Sequence, residues 1–282
     1  MSFSPLKQYY NNFNELFFPN PFDRLLKTWN KEGKKSILIC WNRGLGDVAL
    51  GLYGLCVQIR RVIPDVSITF LTREDLAKAM DLLEGVKVLV SKEMKRGVPF
   101  ITQELLNHLG KQESDFDCIL EKIDTKKWLC WQLGKLTPKL KWNASWDSLI
   151  KRFDLEKNKT YLGVHVSSET SAYYRYEKNW SFAKFDHLFN KVIQATDQKI
   201  ILFGMTPDEH FKHPRIIDLR GQTDFLEMIA LIKNCCSHLL APDSGVLSIA
   251  YYLEGHFALR AVSLWADPRQ GILKQKVASP NP

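Results

Sequence analysis

The chain has 282 residues and a formal charge of +8, with 45% hydrophobic and 25% charged residues. That balance allows one large domain or two ordinary ones with a sizeable core, and argues against wholesale disorder. No apolar run approaches the ~20 residues that span a bilayer, and the first residues lack a basic stretch followed by an apolar one, so a cytoplasmic protein is expected.

Residues 1–34 are polar and aromatic, with Pro19 and Pro21 as breakers, and read as a helical preamble packed on the first domain. Ser36–Trp41 (SILICW) is a short apolar run and predicts a buried strand. Asn42–Asp47 (NRGLGD) is a Gly-rich turn. Val48, Leu52, Leu55, Ile59 and Val62 then recur at helical spacing with one apolar face, and Pro64 ends that helix. Val66–Leu71 predicts a strand, Leu76–Leu83 a helix and Val86–Val90 a third strand. This alternation is the parallel α/β pattern. Further on, Phe100–Leu109 suits a helix and Asp117–Leu120 a strand. Lys126–Lys141 mixes Lys with Trp and Leu and fits no element; such a mixture occurs in nucleic-acid binders, but no RNA-binding motif accompanies it.

A second α/β unit follows a polar linker near residues 145–160. Strands are predicted at Thr160–Val166, Lys199–Gly204, Ile216–Leu219, His238–Ala241 and Ala261–Trp265. Helices are predicted at Phe182–Ala195, Leu226–Asn234 and Val246–Leu253. The expected fold class is therefore α/β, with two Rossmann-like domains, residues 1–150 and 158–282, facing across a cleft. Ligands of open α/β sheets bind outside the carboxyl ends of the strands.

Cysteines 40, 56, 118, 130, 235 and 236 are scattered without a C-x-x-C pair, which predicts reduced, mostly buried thiols and no metal site. The basic balance suits nucleic acid, anionic lipid or a phosphorylated substrate, or simply a solvated Lys-rich surface, since no block of like charge stands out.

Five places could carry chemistry. In the turn after the first strand, Gly44 and Gly46 let the backbone turn tightly and expose N–H groups, next to Arg43. Asp47 closes that turn, either as a helix N-cap or as a general base facing the cleft. The spacing matches neither a P-loop nor G-x-G-x-x-G. His165–Ser168 (HVSS) ends the first strand of the second unit; Ser167 and Ser168 suit phosphate oxygens or a plain Ser-rich turn. Lys178, in Glu177–Trp180, could neutralise phosphate charge or be solvated. Asp243, Ser244 and Gly245 lie between a strand and a helix, where hydroxyl and N–H groups can cradle a diphosphate, with Asp243 alternatively a cap. Gly204, ending a strand, would let a nucleotide lie against the sheet edge, or is a turn glycine.

In order and spacing, G-x-G-D, H-x-S-S with a later K-x-W, a strand ending in Gly, D-L-R-G-Q-T and D-S-G before an apolar helix resemble glycosyltransferase family nine, which contains the ADP-heptose:lipopolysaccharide heptosyltransferases. Ile216–Ala250 carries most of the likeness; residues 95–158 match no recognised motif. The resemblance implies a GT-B architecture and an inverting, metal-independent transfer with no cofactor beyond the nucleotide-sugar donor. It implies Asp47 as catalytic base, Lys178 as the phosphate-binding lysine, and Ser167, Ser168, Ser244 and Gly245 as donor diphosphate contacts. Two departures stand out. Ser248 occupies a position where the family has His, and the chain stops at Pro282, where the family continues with helices returning to the first domain.

The expected function is transfer of a sugar, a heptose among the candidates, to a glycan or lipopolysaccharide-type acceptor, with peripheral contact at an anionic inner membrane and no nucleic-acid partner. The alternative is a catalytically impaired GT-B nucleotide-sugar-binding protein. A nicotinamide-dependent oxidoreductase is disfavoured, because G-x-G-x-x-G and the ribose-binding acid after the first strand are missing.

Overall fold

A computed structural model describes residues 20–123, 132–155, 161–168, 177–207, 211–255, 257–267 and 269–281. The aromatic residues of 1–19 and the 126–131 part of the Trp/Lys stretch lie outside these ranges.

The first described helix, α1 (Pro21–Lys31), starts where a break was expected. Pro21 is its first residue, a position where the missing N–H costs nothing. The Asn20 side chain caps it by accepting from the Phe22 N–H at 3.0 Å. Phe22 and Leu26, four residues apart, bury its inner face.

The first sheet holds β1 (Ser36–Trp41), β2 (Ser67–Arg73), β3 (Val86–Ser91) and β4 (Cys118–Leu120) in the order β3-β2-β1-β4, all parallel. Parallel strands need crossovers, supplied here by α2 (Tyr53–Val62), α3 (Glu74–Met80) and α4 (Thr102–His108). The expected helix over Val48–Val62 is two pieces. Val48–Leu52 is a π-turn, and only from Tyr53 does the α-helix run.

The second sheet holds β5 (Tyr161–His165), β6 (Lys199–Phe203), β7 (Ile216–Asp218), β8 (Cys236–Pro242) and β9 (Arg260–Leu264) in the order β7-β6-β5-β8-β9, again parallel. On one face lies α5 (Phe182–Ala195), whose Phe185 and Phe189 pack on Leu162, Val164 and Leu202. On the other lie α6 (Phe225–Cys235) and α7 (Gly245–Tyr252). A capping box opens α6: Asp224 accepts from Glu227 N at 3.0 Å, and Glu227 accepts from Asp224 N at 2.8 Å. Such a box is worth about 1 kcal/mol.

One apolar cluster runs through both units, joining Ile39 and Phe70 of the first sheet to Phe203 and Leu239 of the second. A 3₁₀ stretch, Ala144–Phe153, packs on α6. Its Asp147 accepts from Trp142 Nε1, Lys233 Nζ and Asn234 Nδ2 at 2.8–3.0 Å. Burial works against that charge, yet the three donors hold the carboxyl below its ordinary value. The last helix, α8 (Gly271–Gln275), returns to the first unit: the Gln275 side chain donates to the Leu50 carbonyl at 2.7 Å.

Cys40, Cys56, Cys118, Cys235 and Cys236 are buried; Cys130 lies outside the described residues. Burial pushes the Cys40 and Cys56 thiols up to about 12. No described helix is long and apolar enough to cross a membrane.

Candidate active site

A cleft of about 680 Å³ opens between the carboxyl ends of the two sheets. Strand β1 delivers the turn with Asp47 on one side, and β5 and β8 deliver their terminal loops on the other. Gly44, Gly46, Asp47, Ser167, Ser168, Lys178, Gly204, Asp243, Ser244 and Gly245 all line it. Arg43 does not. It faces a second hollow of about 800 Å³ with Trp41, Lys122 and Phe100. Gly44 and Arg96 border both spaces, while Arg43 borders only the second.

Asp47 stands at the N-cap position of the turn that follows, yet its side chain does not cap it. Its carboxylate makes no bond to the N–H groups of the turn that follows; it accepts instead from the Gly44 N–H, at 3.0 Å on its N-terminal side. The Asp47 N–H donates to Gly44 O at 3.3 Å, and the Leu50 N–H to Gly46 O at 3.0 Å. Burial raises the carboxyl to about 6, and the Gly44 N–H, Arg43 and Arg96 only partly offset it. Capping bonds from the N–H groups of a helix N-terminus would have favoured the charged form. Placement in the wall of the cleft makes this aspartate a weaker acid instead, suited to exchanging a proton near neutrality.

Across the cleft, Lys178 is no solvated lysine. Its Nζ lies 2.7 Å from Asp243 Oδ2, and both side chains are 9% exposed. Asp243 is therefore an ion-pair partner and not a cap. Ser244 is the N-cap of α7, accepting from the Leu247 N–H at 3.2 Å. Ser248, at the family's His position, is buried, and its hydroxyl donates to Ser244 O at 3.1 Å.

Further contributors receive no individual role from the sequence. Asn179 pins the loop after β5: it accepts from the Ser168 N–H at 2.8 Å, and its amide donates to Ser168 O at 3.3 Å. His165 lines the cleft on the strand face opposite Val164. Its Nδ1 is buried without a partner among the described residues, and burial pushes the ring down to about 4, so it is neutral. Behind Gly204 stands Arg220, 2% exposed, forked onto Asp218 at 2.6 and 2.8 Å. A Cβ on Gly204 would meet the Arg220 stem at 3.4 Å. At the rim, Lys78 Nζ meets Asp224 Oδ2 at 2.5 Å and ties the two units. Lys78 and Asp224 are 146 positions apart, and local pattern does not carry that contact.

Among the described residues no group of three or more His, Cys, Asp or Glu side chains could hold a metal ion.

Two parallel α/β sheets facing one another across such a cleft form the GT-B fold, and comparisons with solved structures agree. The ADP-heptose lipopolysaccharide heptosyltransferase II of E. coli superposes with a TM-score of 0.58 at 14% identity, covering 87% of this chain and 95% of that one. A glycosyltransferase family 9 protein from Veillonella parvula gives 0.57 at 16% identity, covering 82% and 85%. The iron-containing dodecameric glycosyltransferase TibC of enterotoxigenic E. coli gives 0.53 at 10% identity, covering 88% of this chain and 62% of that one. At these identities the likeness is one of fold. No curated protein sequence matches the chain. Residues 126–257, somewhat under half the chain, match the family model of glycosyltransferase family 9 (heptosyltransferase). Fold and family match together support a glycosyltransferase, and the chain is heptosyltransferase-like, as its motifs implied.

Proposed function

We propose that the chain transfers a sugar, with heptose the leading candidate, from a nucleotide diphosphate donor to a hydroxyl of a glycan or lipid-linked acceptor, with inversion. The observation that carries this is Asp47: a carboxylate released from any capping role, weakened as an acid to about 6, and facing the Lys178–Asp243 pair across one cleft. In the reaction, Asp47 takes the proton of the acceptor hydroxyl. That oxygen attacks the anomeric carbon, and the bond from this carbon to the diphosphate oxygen breaks. The diphosphate leaves carrying the negative charge.

Residues 158–282 would hold the donor and residues 1–150 the acceptor. Lys178, fixed by Asp243, supplies positive charge where the diphosphate leaves. Ser167, Ser168 and the N-terminus of α7 at Ser244 and Gly245 supply hydroxyls and N–H groups. Such preorganised dipoles stabilise a leaving anion at little reorganisation cost. Gly204 keeps the wall open for the nucleotide. Arg43, Arg96 and Lys122 make the hollow on the acceptor side basic and suit an acidic acceptor or the surface of an anionic membrane, at the cytoplasmic face.

A second reading, a nucleotide-sugar-binding protein without turnover, is favoured by Ser248, whose hydroxyl is committed to Ser244 O where the family pattern has an imidazole. The test has two stages. A nucleotide diphosphate that fits the donor site raises the melting temperature, and ADP, GDP and UDP are compared on that readout. Nucleotide release is then followed with the corresponding sugar donors. Release that depends on acceptor and is lost in Asp47→Asn supports the transferase. Tight binding without release, in wild type and variant alike, selects the second reading.

A further inference from the structure

The π-turn after Asp47 departs from the α-helical hydrogen-bond ladder. In an α-helix each carbonyl meets the N–H four residues on; here the Tyr53 N–H bonds back to Val48 O, five residues away. Two buried glutamines from distant parts of the chain converge on the Leu50 carbonyl. Gln132 Nε2 donates to it at 2.9 Å, and Gln275 Nε2 at 2.7 Å. Gln132 is 0% and Gln275 2% exposed. The Gly134 N–H also donates to Gln275 O at 2.8 Å, so the two glutamine-bearing segments hold each other. The arrangement needs Gly54, because a Cβ there would lie 1.9 Å from Gln132 Oε1.

Helix α8 connects this turn to the other side of the cleft. Its first residue, Gly271, has φ +54° and lies so close to Asp243 that a Cβ would sit 2.2 Å from Oδ1. Its last residue, Gln275, holds Leu50. One short helix therefore touches the partner of Lys178 at one end and the turn that carries Asp47 at the other.

We infer that α8 is a strut between the two halves of the site, and that Gln275 is a positioning residue: by holding the Leu50 carbonyl it keeps the π-turn formed and Asp47 out of a helix cap and in the cleft. The functional importance of that placement rests on the proposed role of Asp47 as base; the mechanical link does not. A wider turn without its bonded carbonyl relaxes toward an α-helix, whose first N–H groups would then recruit the Asp47 carboxylate as a cap.

The test uses the full chain, wild type and Gln275→Met, which keeps the length of the side chain and removes the amide. Hydrogen exchange of the amides of residues 47–53 and the titration of the Asp47 carboxyl by carbon NMR are the readouts, with ADP as the binding probe. Arg43 and Arg96 are the charged groups that act on Asp47, and neither is changed by the substitution. In the variant, exchange over residues 47–53 should rise about tenfold or more, and the Asp47 midpoint should fall from near 6 toward the ordinary aspartate value. ADP affinity should change by less than about threefold, since no proposed diphosphate contact is removed. Gln275→Asn keeps the amide but withdraws it by one methylene, and should displace the midpoint in the same direction. It decides the matter where Gln275→Met does not fold. An unchanged Asp47 midpoint, with faster exchange confined to residues 269–281, would overturn the inference and leave Gln275 a local fastening. ADP binding to neither protein would count against ADP as the donor nucleotide while the midpoint still decides the strut. A displaced midpoint together with full turnover in Asp47→Asn would sink the base and keep the strut.

Discussion

Gly46 and Gly245 touch across the floor of the cleft: a Cβ on Gly46 would stand 3.4 Å from the Gly245 Cα, and one on Gly245 would stand 2.7 Å from Leu45 Cβ and 2.8 Å from Gly46 N. The turn that carries Asp47 thus rests directly on the N-terminus of α7. Backbone atoms on both sides cannot rotate away as a side-chain tip could. Gly245→Ala should therefore push the two units apart and destabilise the fold by about 1–3 kcal/mol, as overpacking does, and weaken nucleotide diphosphate binding. Gly46→Ala meets its nearest neighbour at an ordinary contact distance and should cost much less. Thermal denaturation of both variants, with and without ADP, checks the order; equal effects would contradict it.

Asp47→Asn should leave a more stable and less active protein. The Asn oxygen can still accept from the Gly44 N–H, while the penalty for a buried charge disappears. Because the folded carboxyl titrates above its unfolded value, that penalty is absent below about 3.8, grows as pH rises, and is complete above about 6. The variant should match wild type near pH 4 and exceed it at pH 7.5. The difference should be about 1–3 kcal/mol, since each tenfold change in proton affinity is worth about 1.4 kcal/mol. Turnover should fall by roughly 10²–10⁴-fold, the usual worth of general-base catalysis. Melting curves at the two pH values, alongside nucleotide release, measure both.

The pH dependence of turnover follows from the same group. Activity should rise with pH through an apparent midpoint near 6 as Asp47 ionises. A bound diphosphate adds negative charge to the cleft and should move the midpoint upward in the donor complex. The midpoint of kcat should therefore lie above that of kcat/KM measured with the acceptor varied at low donor. His165, neutral down to about 4, should add no step near neutrality.

Lys178→Met should cost more than the loss of one exposed lysine. It leaves Asp243 buried without its cation, and breaking one partner of a buried pair typically costs about 3–5 kcal/mol. Lys178→Met with Asp243→Asn should recover much of that stability without recovering affinity for ADP. A double variant that binds ADP like wild type would show that the lysine serves the fold alone.

The alternation of strands and helices is legible because each element buries one face locally. Phe182–Ala195 is predicted at the bounds observed, since Phe185, Phe189 and Val192 mark its apolar face in plain order. The π-turn is not legible: steps of three and four residues from Val48 to Val62 look the same with one residue inserted. Pro21 reads as a breaker because proline breaks a helix interior; it opens a first turn instead, and the deciding cap is Asn20. At the site, positions of residues can be read and their partners cannot. Lys178 and Asp243 are 65 positions apart, Leu50 and Gln275 225, and no local rule pairs them.

The five buried thiols give the molecule an internal stopwatch. Cys40, Cys56 and Cys118 sit in the first unit, and Cys235 and Cys236 in the second. Only a thiolate reacts with an alkylating reagent, and burial withholds it from Cys40 and Cys56 until their surroundings open. Brief exposure to such a reagent, followed by peptide mass analysis, would time the opening of each half separately. The cluster that runs from Ile39 to Leu239 ties the two halves into one body of packed side chains. Both sets of cysteines should therefore be labelled at one common rate, and nucleotide bound on the second unit should slow the labelling of the first.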